Sequence, residues 1–352
     1  MTSTQNLDDR INLDKDQLII DGYSENRDLY LALYKKILIQ EKISIVINQN
    51  ASPEAIFLLS HTPTDVFRIS VYHTRPYPYL GIERLIKKNT YPVDISGKIY
   101  KYTSLIFPFV FRMISRNSER RMFQEILNIS DKLILLSPNF IPRLYKNTKG
   151  IDINKLTAIP NPNTFTLLTE NIPKKENIIL FIGRLADPPK NVKGFIDMWY
   201  DFQKKTDGWR ACIIGDGPQR HLYEKYAYKK GIVNLTFEGA KTNVADYYMR
   251  ADFVCLTSLY EGWGMTLTEG MAHGCIPVCF GSYESAYDII DDNINGLIIP
   301  PYDTELMANR IVEIVGNPLK KGHMAMAAIK KVEEFHIAKI ADKWEALLRS
   351  NQ

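Results

Sequence analysis

Ser258-Leu-Tyr-Glu-Gly-Trp-Gly-Met-Thr-Leu-Thr-Glu-Gly-Met-Ala-His-Gly-Cys-Ile-Pro-Val278 is the stretch from which the fold is read. The apolar run before it, Asp252-Phe-Val-Cys-Leu-Thr257, has the character of a buried parallel strand. Met265 to His273 has helical spacing and a Gly274 stop. Glu261 therefore stands at the carboxyl end of a strand, and Glu269 about one turn inside the next helix. Gly262 and Gly264 admit positive φ and carry no Cβ, so a ligand can approach the backbone closely. The amides of Met265, Thr266 and Leu267 point out of a helix N-terminus, where unpaired donors and a partial positive charge suit a phosphate. The Glu269 carboxylate is placed to accept two hydrogen bonds from vicinal hydroxyls, as on a ribose. The segment thus offers, in order, sites for a sugar hydroxyl, a diphosphate and a ribose, which is the outline of a nucleotide-sugar. Two solvated glutamates on an ordinary strand-turn-helix are the plainer reading of an isolated pair. The Gly-x-Gly turn, the small residues Gly270, Ala272 and Gly274, and the strand Ile276-Pro-Val278 all agree with the ligand reading instead.

Further anchors lie in the same half. Ile178-Ile-Leu-Phe-Ile-Gly-Arg184 is a buried strand that ends in Gly183 and Arg184, and Lys190 follows in Asp187-Pro-Pro-Lys-Asn-Val192. Two cations beyond a strand end are suited to offset the charge on a departing diphosphate. Six short apolar runs alternate with helical segments in this half, near 178–183, 210–214, 234–237, 253–257, 276–280 and 297–299, which predicts a parallel sheet. The first half gives strands near 17–20, 43–47, 66–71, 132–136 and 155–159. The expected class is α/β, with two Rossmann-like parallel-sheet domains facing a cleft and a ligand at the carboxyl ends of the strands. The expected boundaries are an N-terminal domain over 1–165, a donor-binding domain over 166–335 and a terminal helix over 336–352, with Trp344 packing back on the first domain.

These motifs resemble the GT-B glycosyltransferases of the large retaining family 4. The matching pieces are Phe181-Ile-Gly-Arg-Leu185 with Lys190, Ile214-Gly-Asp-Gly-Pro218, Phe237-Glu-Gly239, Ser258-Leu-Tyr-Glu-Gly262 through Glu269, Gly274-Cys-Ile-Pro-Val278 and Asn295-Gly-Leu-Ile-Ile-Pro300. They cover the chain from about Asn177 to Tyr302. In the first half, Val71-Tyr-His73 resembles the family's strand-end histidine, and Ala158-Ile-Pro-Asn161 the segment that leads into the second domain. The resemblance implies that Glu261 contacts the donor sugar, Glu269 the ribose, and Arg184 with Lys190 the diphosphate. It also implies that Gly183 and Gly239 lie beside the donor and that His73 orients the sugar. The family's opening strand and glycine-rich loop have no counterpart before Gln17.

Composition bounds the rest. A chain of 352 residues is long enough for two separate cores. Cys212, Cys255, Cys275 and Cys279 fall in or beside buried strands and read as reduced thiols. Cys275-x3-Cys279 with His273 lacks a second ligand pair at zinc spacing, so no metal site is expected. Asp14-Lys-Asp16 spells the D-x-D of metal-dependent transferases but falls in a polar stretch and reads as solvated. Met1 to Gln17 is polar and charged, unlike a signal peptide, and no apolar run is long enough to span a bilayer. A cytoplasmic protein, soluble or peripheral, is expected.

Residues 1–165 hold 22 Lys and Arg against 16 Asp and Glu, and the remainder 22 against 24. The excess centres on residues 84–121, around Tyr102-Thr-Ser-Leu-Ile-Phe-Pro-Phe-Val-Phe-Arg-Met-Ile114. This basic, aromatic segment reads equally as an interfacial element on an anionic membrane and as a core helix with a solvated flank. No nucleic-acid motif accompanies the charge. The expected reaction is transfer of a hexose or N-acetylhexosamine from a nucleotide-diphosphate sugar, UDP favoured, to a hydroxyl of a saccharide or lipid-linked acceptor. Anomeric configuration is expected to be retained, and neither metal nor cofactor to be required. Bacterial surface-polysaccharide assembly is the expected setting. Two other classes stand beside it. One is a catalytically silent sugar-nucleotide binder. The other is an NAD-dependent oxidoreductase suggested by Gly215-Asp-Gly217, whose fingerprint fails at Arg220.

Overall fold

A computed structural model describes residues 11–14, 17–20, 27–78, 108–168 and 172–350, with backbone alone for 11–20 and 108–112. The described elements in the first part are β1 (Ile11–Asp14), β2 (Gln17–Ile20), α1 (Arg27–Gln40), β3 (Ile45–Asn48), α2 (Pro53–Ser60) and β4 (Phe67–Tyr72). They continue with α3 (Pro108–Ile129), β5 (Lys132–Leu135), α4 (Phe140–Asn147) and β6 (Leu156–Ala158). The second part runs β7 (Ile178–Ile182), α5 (Val192–Phe202), β8 (Arg210–Ile214), α6 (Arg220–Lys229), β9 (Leu235–Gly239), α7 (Ala245–Arg250) and β10 (Phe253–Leu256). It closes with α8 (Met265–Ala272), β11 (Ile276–Phe280), α9 (Ala286–Ile289), β12 (Leu297–Ile299), α10 (Thr304–Val315), α11 (Pro318–Val332) and α12 (Ile337–Arg349).

Two compact units result. One contains Met1–Tyr72, Met122–Ile134 and Asp152–Leu156, and the other His73–Arg121, Leu135–Ile151 and Thr157–Gln352. A four-stranded sheet has the order β3-β4-β5-β6, with β3 and β4 parallel from Ile45↔Phe67 to Asn48↔Ser70. Within the first unit, Arg68 forks onto Asp131 at 3.1 and 3.0 Å, and the hydroxyls of Ser70 and Ser130 lie 2.8 Å apart. These contacts tie β4 to the entry of β5.

The expected strand at 17–20 forms, but not in a parallel sheet. β2 pairs antiparallel with β1, from Ile11↔Ile20 to Asp14↔Gln17. Two residues separate these strands in sequence, and so short a connection joins antiparallel neighbours, whereas a parallel pair needs a long crossover. Asp14 of the D-x-D sequence is the last residue of β1, and Lys15 and Asp16 lie outside the described residues. The aromatic stretch around Tyr102 is helical from Pro108 onward, and its side chains up to position 112 also lie outside the described residues.

The six-stranded sheet has the order β12-β11-β10-β7-β8-β9, and every neighbouring pair in it is parallel. Its strands are short, continuous apolar runs because helices cover both faces. All five residues of β7 and of β11 are buried. Phe195, Met198, Trp199 and Phe202 of α5 and Met307 and Ile311 of α10 share one apolar core with Phe181, Phe253 and Val278. Helix α8 ends as its sequence predicts. Gly274 adopts φ +72, its amide donates to Met271 O at 3.0 Å, and Cys275 N donates to Gly270 O at 2.9 Å. That pair of bonds is a Schellman cap, which only a residue at ease with positive φ closes without strain.

Candidate functional site

The order of the six-stranded sheet reverses between β7 and β10, which lie side by side with Phe253 opposite Ile179. At such a switch point the connections leave in opposite directions and open a crevice beyond the strand ends. Gly183 and Arg184 follow β7, and the Ser258–Gly264 loop follows β10. The stem of Lys190 runs along Gly183, where a Cβ would lie 3.5 Å from both Cδ and Cε. Lys190 Nζ donates to Glu261 Oε1 at 2.6 Å, and Ser258 Oγ donates to the same oxygen at 2.7 Å. The side chains of Lys190 and Glu261 keep 21% and 14% of their exposure, so the pair sits at a mouth and is only partly screened by water.

The two loops are tied together behind this pair. Leu259 N donates to Pro189 O at 2.8 Å, and Asn191 Nδ2 to Thr257 O at 3.1 Å. Asn191 has φ +49, and its amide donates to Asp187 Oδ1 at 2.8 Å. Tyr223 donates its hydroxyl to the other oxygen of Asp187, and burial raises the pKa of that carboxyl. Lys190 is thereby carried on a braced loop rather than a free one.

Gly264 begins helix α8 at φ +85, as its position in the turn predicts. The amides of Met265 and Thr266 make no hydrogen bond among the described residues. The Leu267 amide differs from expectation: it donates to Gly264 O at 2.9 Å, and its side chain is buried in the core. The first turn tightens to a three-residue bond and consumes that donor, leaving two amides for a ligand. Gly262 also differs. Its φ is not positive, and a Cβ there would stand 2.1 Å from His73 O. The missing side chain makes room for the chain's own backbone at His73, immediately after β4.

His73 itself is exposed, and the surrounding protein lowers its pKa by desolvation. Glu269 is half-buried and accepts a hydrogen bond on Oε2 from the Tyr248 hydroxyl at 2.8 Å. Burial raises its pKa, with the Tyr248 bond acting in the opposite sense. Arg184 is exposed, and its guanidinium has no partner among the described residues. Gly239 ends β9 at φ +74, and its carbonyl accepts from Gly215 N at 2.9 Å. Gly215 in turn abuts Gly183, whose carbonyl would lie 1.9 Å from an added Cβ. The structure thus brings Gly183, Lys190, Glu261, Gly262 and His73 together contact by contact. Gly239 reaches that group through Gly215, and Glu269 is held separately by Tyr248.

Three features were not anticipated from sequence. Ser258 stands three residues before Glu261, a spacing that a turn brings into contact. Tyr248 carries no local signal, because its helix meets α8 only through the β9-to-β10 crossover. Arg75 forks onto Glu284 at 2.6 and 2.8 Å, and Arg143 Nη1 reaches the same carboxylate at 3.0 Å. Arg143 also donates to the carbonyls of Pro76 and Tyr77, each at 2.7 Å. This network fixes the segment that carries the His73 carbonyl against Gly262. Among the described residues no three His, Cys, Asp or Glu side chains group as a metal site would require. Cys275 Sγ instead donates to Tyr248 O and Ala251 O, and burial pushes its thiol up to about 12. No described helix is long and apolar enough to cross a membrane.

Two parallel-sheet α/β domains define the fold as GT-B. The pneumococcal O-GlcNAc transferase GtfA, solved in complex with UDP and GlcNAc, superposes with a TM-score of 0.68 at 16% identity, covering 97% of this chain and 62% of that one. Residues 168–332 match the profile of the glycosyl transferases group 1. Among curated relatives, the Campylobacter jejuni GalNAc-alpha-(1->4)-GalNAc-alpha-(1->3)-diNAcBac-PP-undecaprenol alpha-1,4-N-acetyl-D-galactosaminyltransferase is 29% identical over 199 residues, 56% of this chain and 55% of its own. The Staphylococcus aureus poly(ribitol-phosphate) alpha-N-acetylglucosaminyltransferase is 26% identical over 230 residues, 63% of this chain and 46% of its own. The chain thus spans about half the length of the curated relatives it matches.

Proposed function

We propose that this protein transfers a hexose or N-acetylhexosamine from a nucleotide-diphosphate sugar to a hydroxyl of a saccharide or lipid-linked saccharide. The observation that carries the reading is the Lys190–Glu261 pair at the sheet's switch point, 2.6 Å apart. In this reading the diphosphate takes Lys190, Arg184 and the free amides of Met265 and Thr266 as donors. These donors stabilise the charge that grows on the leaving diphosphate, so no step calls for a divalent metal. Glu261, released from Lys190, accepts from a sugar hydroxyl, and Glu269 from the ribose. His73 orients the sugar, and the reaction retains anomeric configuration.

UDP is the favoured carrier, in keeping with the UDP in the superposed O-GlcNAc transferase complex. The two relatives are named for an undecaprenol-linked and a poly(ribitol-phosphate) acceptor. Both classes suit surface-polysaccharide assembly at the cytoplasmic face of a membrane, where the basic stretch over residues 84–121 would meet anionic lipid. The oxidoreductase reading loses support, since added Cβ atoms at Gly215 and Gly217 would stand 1.9 and 2.3 Å from the carbonyls of Gly183 and Leu185. Those glycines make room for the neighbouring loop rather than for a dinucleotide. A silent binder remains the second reading, because the family match covers the donor half alone.

Calorimetric titration with UDP, GDP and NAD, with and without magnesium, tests the donor site, and a turnover assay with UDP-sugars follows. Metal-independent binding of UDP is expected, weakened in Glu269→Ala. Transfer is expected to be largely lost in Glu261→Gln while the fold persists. Binding without turnover would favour the silent binder, and full activity in Glu261→Gln would remove the role assigned to Glu261.

A further inference from the structure

Tyr248 lies on α7, the short helix before β10, and its side chain is fully buried. Its hydroxyl is nevertheless spent on a partly accessible carboxylate, donating to Glu269 Oε2 at 2.8 Å. Several contacts hold the ring in place. It stacks on His273, centroid to centroid 5.5 Å and 20° apart, while Phe165 packs edge-on to Tyr248 at 6.4 Å and to His273 at 4.9 Å. The Tyr248 carbonyl receives Lys175 Nζ and Cys275 Sγ, each at 3.1 Å. His273 closes the loop, with Nδ1 2.8 Å from Glu269 O. A carbonyl only accepts, so Nδ1 carries the proton and that ring too is fixed. Glu269 Oε1 has no partner among the described residues.

We propose that Tyr248 is a positioning residue that holds one oxygen of the Glu269 carboxylate and turns the other toward the ribose hydroxyls of the donor. This deepens, and rests on, the donor-site reading above. A free glutamate side chain would lose rotamer freedom on binding; here the Tyr248 bond already fixes it. The bond has a second consequence. Among the titratable groups near Glu269, Lys175 and Cys275 are spent on backbone carbonyls, burial keeps His273 below its usual pKa, and Tyr248 is the group that favours the ionised carboxylate. Loss of its hydroxyl leaves burial unopposed and moves Glu269 protonation to higher pH.

The test titrates wild type, Tyr248→Phe and Glu269→Gln with UDP and GDP and with their 2′,3′-dideoxy counterparts, from pH 5 to pH 8. Tyr248→Phe is expected to weaken binding of the ribonucleotide about tenfold and to lose it at a higher pH than wild type on acidification. The dideoxynucleotide, which offers no vicinal hydroxyls, should bind wild type and Tyr248→Phe alike, and the acid loss should vanish in Glu269→Gln. Unchanged ribonucleotide affinity and pH profile in Tyr248→Phe would overturn the proposal. So would an equal loss for the dideoxynucleotide, which assigns Tyr248 to core packing. Failure of wild type to bind either nucleotide at any pH would sink the donor-site reading, and the proposal with it.

Discussion

Replacing Glu119 by Gln should stabilise the protein, and more so as the pH rises. Glu119 on α3 accepts the Tyr77 amide at 2.7 Å, and burial pushes its pKa from 4.5 to about 7. Tyr77 is buried at φ +53, with its hydroxyl 2.7 Å from Thr148 Oγ1. That unusual backbone is held open by Glu119 and Arg143 together. A carboxyl whose folded pKa lies above its unfolded value is penalised when ionised. Below pH 4.5 it is protonated in both states and there is no penalty. Between 4.5 and 7 the penalty grows, and above 7 it is complete. At ~1.36 kcal/mol per pKa unit the full penalty is about 3 kcal/mol. Gln keeps the acceptor for Tyr77 without the charge, so its advantage should be about 1 kcal/mol at pH 5 and about 3 kcal/mol above pH 8. Urea denaturation of both proteins across this range isolates the difference, since all other titrations are shared. An advantage that does not grow with pH, or a Gln variant less stable at pH 8, would refute the assignment.

Two further expectations concern the site. Lys190→Met leaves Glu261 partly buried with the Ser258 hydroxyl still donating to it, and a double-mutant cycle with Glu261→Gln should return a coupling of about 1–2 kcal/mol, between exposed and buried pairs. A coupling indistinguishable from zero would mean that the pair is not formed in solution. Gly262→Ala forces a Cβ to 2.1 Å from His73 O, whereas in Gly183→Ala the nearest atoms are the Lys190 stem at 3.5 Å. The first should cost about 1–3 kcal/mol and the second less than about 1 kcal/mol. Equal thermal stability of the two variants would show that the His73 segment does not lie against Gly262.

The second-half sheet was legible because its strands are short apolar runs punctuated by glycine, and such signals are local. Gly264 and Gly274 could be placed from the chain alone for the same reason: each ends or begins a helix, where positive φ is a local demand. Gly262 was legible as a glycine but not in its purpose, since a backbone arriving from residue 73 leaves no trace in the neighbouring sequence. The β1–β2 pairing was missed because an apolar run at 17–20 does not state which strand it meets.

By itself the sequence determined the αβ alternation, the two glutamates flanking a Gly-x-Gly turn, and the cations after β7. Periodicity and turn chemistry act over a few residues and are written wherever they act. The tertiary structure decided which groups meet: Lys190 with Glu261 across β7 and β10, Tyr248 with Glu269, and Arg75 and Arg143 with Glu284. Each of these contacts joins residues 21 to 209 positions apart. Their energies arise from burial and geometry fixed by strand order and crossover, which no local pattern encodes.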